Sequence, residues 1–401
     1  MTDGFALLGI KDEILRLLPG IGLKKPMPVQ AAAIPPILKG RDVLLKARTG
    51  TGKTMAFIIP AVHKADSKKT YPQALIVTPT RELAVQVAGE AKKIAGGAGL
   101  KVLNILGGRD FYAQKDKLGK APHILVGTPG RLLDHLRKRS AALGGVSFFV
   151  LDEVDEMLQR GFLEDIEQLS LFVGAKRQTV VCSATLPQAA ADLAKKIMKA
   201  PVLVDIDADK LDTVNIEHWI MKVSADKKKW ALGEFLRRAN PYLAIVFCGA
   251  REGAAEIGEW LETEGFSCGV LRGDLSQTKR LKVLRDFRRA RIQVLVATDL
   301  AARGLDVEGV SHVISYDPPP DRQQYVHRAG RTGRAGAAGM AVTIYTPEEL
   351  RKIDNLEKKL GFKFRARNPA GDEITRASVK KPAAGKKRTV KPPGPKHGAR
   401  R

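Results

Sequence analysis

The stretch "KARTGTGKT" at residues 46–54 decides the fold. It follows the apolar run "DVLLKA" (42–47) and precedes a helical segment, which is the setting of a phosphate-binding loop. Gly50 and Gly52 let the backbone curl so that successive N–H groups face phosphate oxygens at a helix N-terminus. Lys53 is placed to reach β- and γ-phosphates, and the Thr54 hydroxyl can ligate Mg²⁺; Thr49 and Thr51 complete the loop. Ala47 stands where the usual pattern begins with glycine. A glycine-rich turn with a surface lysine is the plainer reading, and the strand–loop–helix setting argues against it.

Such a loop needs a second metal-orienting acid at the end of another strand. In "SFFVLDEVDEML" (147–158) an apolar run ends abruptly at Asp152 and Glu153, and Asp155 and Glu156 follow. Acids suit a helix start because of the helix dipole. Together with the phosphate loop they read differently: Asp152 as metal-orienting acid, Glu153 as base or water-orienting group for attack on a γ-phosphate.

Short β-type runs alternate with helical patterns through both halves. They are 42–47, 74–79, 102–106, 123–128, 148–152 and 179–184, then 243–248, 269–273, 292–298, 312–317 and 340–346; 81–94 and 279–288 are among the helices. Alternation of this kind predicts an α/β chain with mainly parallel sheets flanked by helices, and ligands beyond the strands' carboxyl ends. The polar "DIDADKLDTVNIEH" (205–218) interrupts the pattern. We expect domains at 1–205 and 216–362, a linker at 206–215, and a disordered basic tail at 363–401.

The 401 residues are more than one ordinary core needs, which also favours two domains. The net charge of +25 favours polyanionic partners through counterion release. Ten Lys/Arg and no acid lie between Arg376 and Arg401. No long uncharged apolar stretch predicts a membrane span, and the first residues lack a signal-peptide pattern. Cys182, Cys248 and Cys268 match no zinc spacing and suggest reduced thiols in an intracellular protein. The second half has no phosphate loop. It carries "HRAGRTGR" (327–334), from which Arg331 and Arg334 could meet transition-state charge if the second domain closes over ATP.

These motifs, in this order, resemble the DEAD-box RNA helicases from Phe5 to about residue 362. Phe5 and "GLKKPMPVQ" (22–30) are similar to the family's adenine-reading segment, with Gln30 bonding the base. "PTRELA" (79–84), "GG" (107–108), "TPGR" (128–131), "SAT" (183–185), "VFC" (246–248), "RGDLSQTKR" (272–280) and "VATDLAARGLD" (296–306) complete the set. The resemblance implies two tandem RecA-like domains that clamp ATP, Mg²⁺ and RNA, bend one strand and melt short duplexes. It implies coupling through Asp155, Ser183, Thr185 and His327, ribose contact by Asp306, and γ-phosphate contact by Arg331 and Arg334. RNA contacts would fall to Arg81, Gly108, Thr128, Arg131, Arg272, Gly273, Thr298 and Arg303. Contacts to the RNA backbone carry little base information, so sequence-independent binding by a monomer is expected.

Leu23 and Met27 replace the usual aromatic and Thr/Ser of the adenine segment, and Arg272 stands where the family often has His. "VLDEVDEML" and "GFKFRARNPAGDEITRAS" (361–378) are similar to the nucleolar RNA helicase II (Gu) group. That likeness, with the basic "KKPAAGKKR" (380–388), leads us to expect a nuclear or nucleolar protein in ribosome biogenesis, the cytoplasm being the alternative. With no N-terminal extension before Phe5, no transit peptide is expected. The rival functions are an ATP-gated RNA clamp or scaffold, in which unwinding is incidental, and a DNA translocase.

Overall fold

The computed structural model describes residues 3–47, 50–206, 216–302, 307, 309–333 and 338–375. The first sheet holds β1 (Val43–Lys46), β2 (Ala74–Val77), β3 (Val102–Ile105), β4 (Ile124–Gly127), β5 (Phe148–Leu151), β6 (Gln178–Ser183) and β7 (Val202–Asp205). The second holds β8 (Ile216–Lys222), β9 (Ala244–Cys248), β10 (Cys268–Leu271), β11 (Val294–Thr298), β12 (His312–Ser315), β13 (Gly339–Tyr345), β14 (Arg365–Arg367) and β15 (Glu373–Ile374).

Every pairing is parallel except β14 with β15. Helices cover both faces, and the packing follows the pleat. Leu45, Ile76, Val126 and Val150 join one core of the first sheet, while Leu44, Val77, Leu125 and Leu151 join the other. Val246 and Val296 lie on one side of the second sheet, Phe247 and Ala297 on the other. Strands buried on both faces read as unbroken apolar runs, which is why all eleven anticipated strands are present.

The two sheets share one plan. The first runs β3-β4-β2-β5-β6-β1-β7, and the second runs β10-β11-β9-β12-β13-β8-β14 before ending in β15. Counted within each domain, the orders coincide, so β14 is the counterpart of β7. This corrects the expected boundary at 362. Phe364 and Ala366 are buried, β14 pairs with β8, and Arg365 and Arg367 lie 4.2 and 3.9 Å from the Trp219 ring centroid. The charged "RAR" hid a strand because only its Ala faces the core. The expected linker lies almost entirely outside the described residues, as does the tail from 376 onward. Among the described residues no helix is long and apolar enough to cross a membrane.

Candidate active site

The phosphate loop joins β1 to the helix Lys53–Lys64. Gly50 and Gly52 have φ of +83° and +91°, a region open to glycine at no steric cost. Gln30 packs directly against the turn: a Cβ on Gly52 would lie 2.6 Å from Gln30 Nε2 and 2.7 Å from Met27 Sδ. Gln30 Nε2 donates to the Gly52 carbonyl at 3.1 Å, and its Oε1 accepts from the Met27 N–H at 2.9 Å. The anticipated base reader therefore also braces the phosphate loop. Met27 has no hydroxyl to accept from the Gln30 N–H, but the Gln30 side chain still supplies the other half of a capping box by accepting from the Met27 N–H.

Phe5 departs from expectation. It is fully buried in the first-domain core, and a Cβ on neighbouring Gly4 would lie 2.6 Å from Pro26 Cδ. Its ring is part of that core and presents no exposed face.

Lys53 is buried and its Nζ donates to the carbonyl of Ala47. Asp152 follows β5, its N–H held by the Val77 carbonyl at 2.9 Å. Its Oδ1 is buried with no hydrogen-bond partner. Glu153 adopts a left-handed backbone (φ +55°, ψ 53°) where the strand turns into the helix Val154–Gln159. Burial pushes the Asp152 carboxyl up to about 6, opposed by Lys53. Burial also raises Glu153, to about 7; Asp152 adds to the rise, and Arg331 of the second domain opposes it. Arg331 is itself buried, and its Nε donates to the His327 carbonyl at 3.2 Å.

Three of the four anticipated coupling residues, Asp155, Ser183 and Thr185, converge. Thr185 donates to Asp155 Oδ2 from its amide at 3.0 Å and its hydroxyl at 2.8 Å, and the Asp155 N–H donates to Ser183 Oγ at 3.3 Å. The link across the domains is Gln323, whose Nε2 donates to Thr185 Oγ1 at 3.1 Å. Gln323 was not anticipated, although it sits four residues before His327 on the helix Arg322–Ala329 and so shares its face. A second bridge was also missed: Arg280 meets Glu82 at 2.6 Å, with side chains only 11% and 8% exposed. No sequence pattern pairs such distant positions; only the assembled fold does.

A cleft of about 570 Å³ runs between the domains; a second, of about 600 Å³ and lined by second-domain residues, shares Gly273 and Leu300 with it. Arg81, Gly107, Thr128 and Arg131 line the first, and Thr298 the second. The Arg81 guanidinium lies over the glycine pair, where a Cβ on Gly107 would approach its Nη2 to 3.0 Å. Gly108, with φ +71°, would meet Arg81 Nη1 more closely still. Arg131 Nη2 donates to the Arg109 carbonyl at 2.6 Å, and Arg272 pairs with Asp274 at 3.3 Å. Thr49, Arg303, Asp306 and Arg334 lie outside the described residues.

Residues 27–193 match the DEAD/DEAH box helicase family, and residues 227–336 match the helicase conserved C-terminal domain. The chain is 44% identical over 370 residues to the DEAD-box ATP-dependent RNA helicase CshA of Geobacillus kaustophilus, covering 92% of this chain and 79% of that one. In structure it resembles S. cerevisiae Dbp5 bound to RNA and ADP BeF3: TM-score 0.85, 28% identity, 91% of this chain and 96% of that one. A DEAD box protein of Methanococcus jannaschii gives 0.55 at 36% identity, covering 91% and 99%. The curated relatives, CshA of Geobacillus kaustophilus and of Bacillus subtilis among them, are bacterial, so the expected kinship with the nucleolar Gu group is not supported and the expected nuclear or nucleolar location is overturned. Tandem RecA-like domains, a nucleotide loop facing an acid pair and these relatives place the chain in the DEAD-box ATP-dependent RNA helicase family.

Proposed function

We propose that this ATP-dependent RNA helicase opens short duplexes in structured RNA, ribosomal RNA included, as a monomer that grips the RNA backbone without reading sequence. In this reading Lys53 leaves the Ala47 carbonyl to meet β- and γ-phosphoryl oxygens, and loop N–H groups from Thr49 to Thr54 cradle them. Gln30 keeps one N–H and one lone pair for adenine, and Asp306 contacts the ribose. Asp152 and Thr54 would hold Mg²⁺, for which the unpartnered buried Oδ1 of Asp152 is a fitting donor. When bound, the cation screens the charge of the phosphoryl oxygens. Glu153 orients and deprotonates the attacking water, and its raised affinity for a proton suits that task. Arg331 and Arg334 meet the charge that develops on the γ-phosphoryl group.

The observation that carries this reading is the Thr185–Gln323 bridge. It ties Asp155, two residues from Glu153, to the helix that bears His327 and ends just before Arg331, so hydrolysis depends on domain closure. Arg81, Gly108, Thr128, Arg131, Arg272, Gly273, Thr298 and Arg303 would hold RNA across both domains and so favour closure. Turnover is therefore expected to rise on adding single-stranded RNA; a rate indifferent to RNA refutes the reading. Glu153→Gln is expected to lower kcat by about 10²–10⁴, with ATP-dependent RNA binding retained in a filter assay. A clamp with incidental unwinding would instead show complexes that outlive many unwinding events.

A further inference from the structure

The helix Phe111–Leu118 starts just past the glycine pair and carries a group that the helicase cycle above does not use. Phe111 stacks on His135 (centroids 4.2 Å apart, planes at 9°), with the Arg131 guanidinium 5.1 Å and the Lys138 ammonium 4.5 Å from its ring centroid. Tyr112 sits edge-on to Phe111 at 5.8 Å and is 72% exposed. An aromatic ring this exposed contributes nothing to the core. Phe111 is held in a cage that fixes the helix start, and Asp110 caps that start by accepting from the Ala113 N–H at 2.6 Å.

We propose that Tyr112 is a stacking platform for a base of single-stranded RNA leaving the interdomain cleft. Two observations support RNA as the occupant. The first is continuity: Arg131 lines the cleft, touches Phe111 and holds the Arg109 carbonyl, so cleft and platform share one side chain. The second is charge. Residues 109–139 contain eight Lys/Arg against three acids, Asp110, Asp116 and Asp134. Asp110 is occupied as a cap, and Asp134 faces Arg131 at 3.8 Å. A net-cationic segment, with Arg131 and Lys138 at the ring that Tyr112 abuts, beside a bare aromatic ring is the usual make-up of a sequence-tolerant single-strand site. The platform rests on the RNA-binding reading and lengthens the RNA footprint beyond the cleft.

The test uses the full chain with a non-hydrolysable ATP analogue and two kinds of probe. One is the shortest oligouridine that saturates stimulation of ATP turnover; the others extend it at the 5′ or 3′ end. Wild-type affinity is expected to rise on extension at one end only. Tyr112→Ala is expected to remove that increment, roughly 5- to 100-fold, while binding the short probe as wild type does; Tyr112→Phe retains it. Lys138→Gln is expected to lower the salt dependence of the extended probe by about one unit of slope. Equal loss on short and extended probes makes Tyr112 a support of the cleft and overturns the platform. Wild-type affinity that does not grow with length also overturns it and leaves the surface to a different partner. Failure of wild type to bind any oligouridine is distinguishable from both, and overturns the RNA reading together with the platform.

Discussion

In the first domain Lys53 opens the helix after β1 and Asp152 follows β5; in the second, Lys228 opens the helix after β8 and Asp317 lies just past β12. In the shared strand order these are the same places. The chemistry differs because of how the groups are satisfied. Lys228 pairs with Asp317 at 3.1 Å and with Glu349 at 3.6 Å, and Asp317 also accepts from the Gly249 N–H at 2.9 Å. The loop before Lys228 has no glycine to curl around a phosphate. Among the described residues Lys53 holds only a carbonyl, and Asp152 keeps a buried oxygen without a partner. One scaffold thus yields a reactive site where its charges are left wanting and a structural brace where they neutralise each other.

The second domain nonetheless lends Arg331 to the first. Arg331→Ala is expected to cut kcat by about 10³–10⁵ without changing ATP affinity, measured in RNA-saturated single turnover. A smaller loss than tenfold would mean that each domain works alone. Lys53→Ala comes next: about 10²–10³ in kcat/KM for ATP, with Tm held. In the counterpart of β7, deletion of residues 363–401 removes Phe364 and uncovers Trp219, for a loss of about 3 kcal/mol and roughly 6–12 °C in Tm. Deletion of 376–401 is expected to leave Tm in place, and equal melting of both truncations would remove β14 from the comparison. The smallest effect falls to Lys228→Met. Asp317 can rehydrate, so about 1–2 kcal/mol and roughly 3–6 °C are expected, with ATP turnover at low temperature intact. A catalytic defect there would show that the second lysine is more than a brace.

Much of this was legible in the sequence because buried parallel strands leave an unbroken apolar signature, and the phosphate loop constrains glycine, lysine and threonine together. Asp152 and Glu153 could be read off a strand end, whereas Asp155, Ser183 and Thr185 followed only from the family resemblance; the structure joins these three by hydrogen bonds. Edge strands were harder. β7 is half exposed, β8 shares its start with a polar segment, and β14 has one core-facing residue among charges. Phe5 misled because its pattern gives position along the chain but not which way the ring points. Gln323, Glu82 and Arg280 were missed because their roles exist only across an interface between two domains.

The left-handed backbone at Glu153 has a consequence for the chain's history. A side chain in that conformation costs about 1 kcal/mol relative to glycine. A protein shaped by stability alone would drift to glycine at this turn. In the proposed cycle that strain is the stability given up to place a carboxylate, rather than glycine, at the turn.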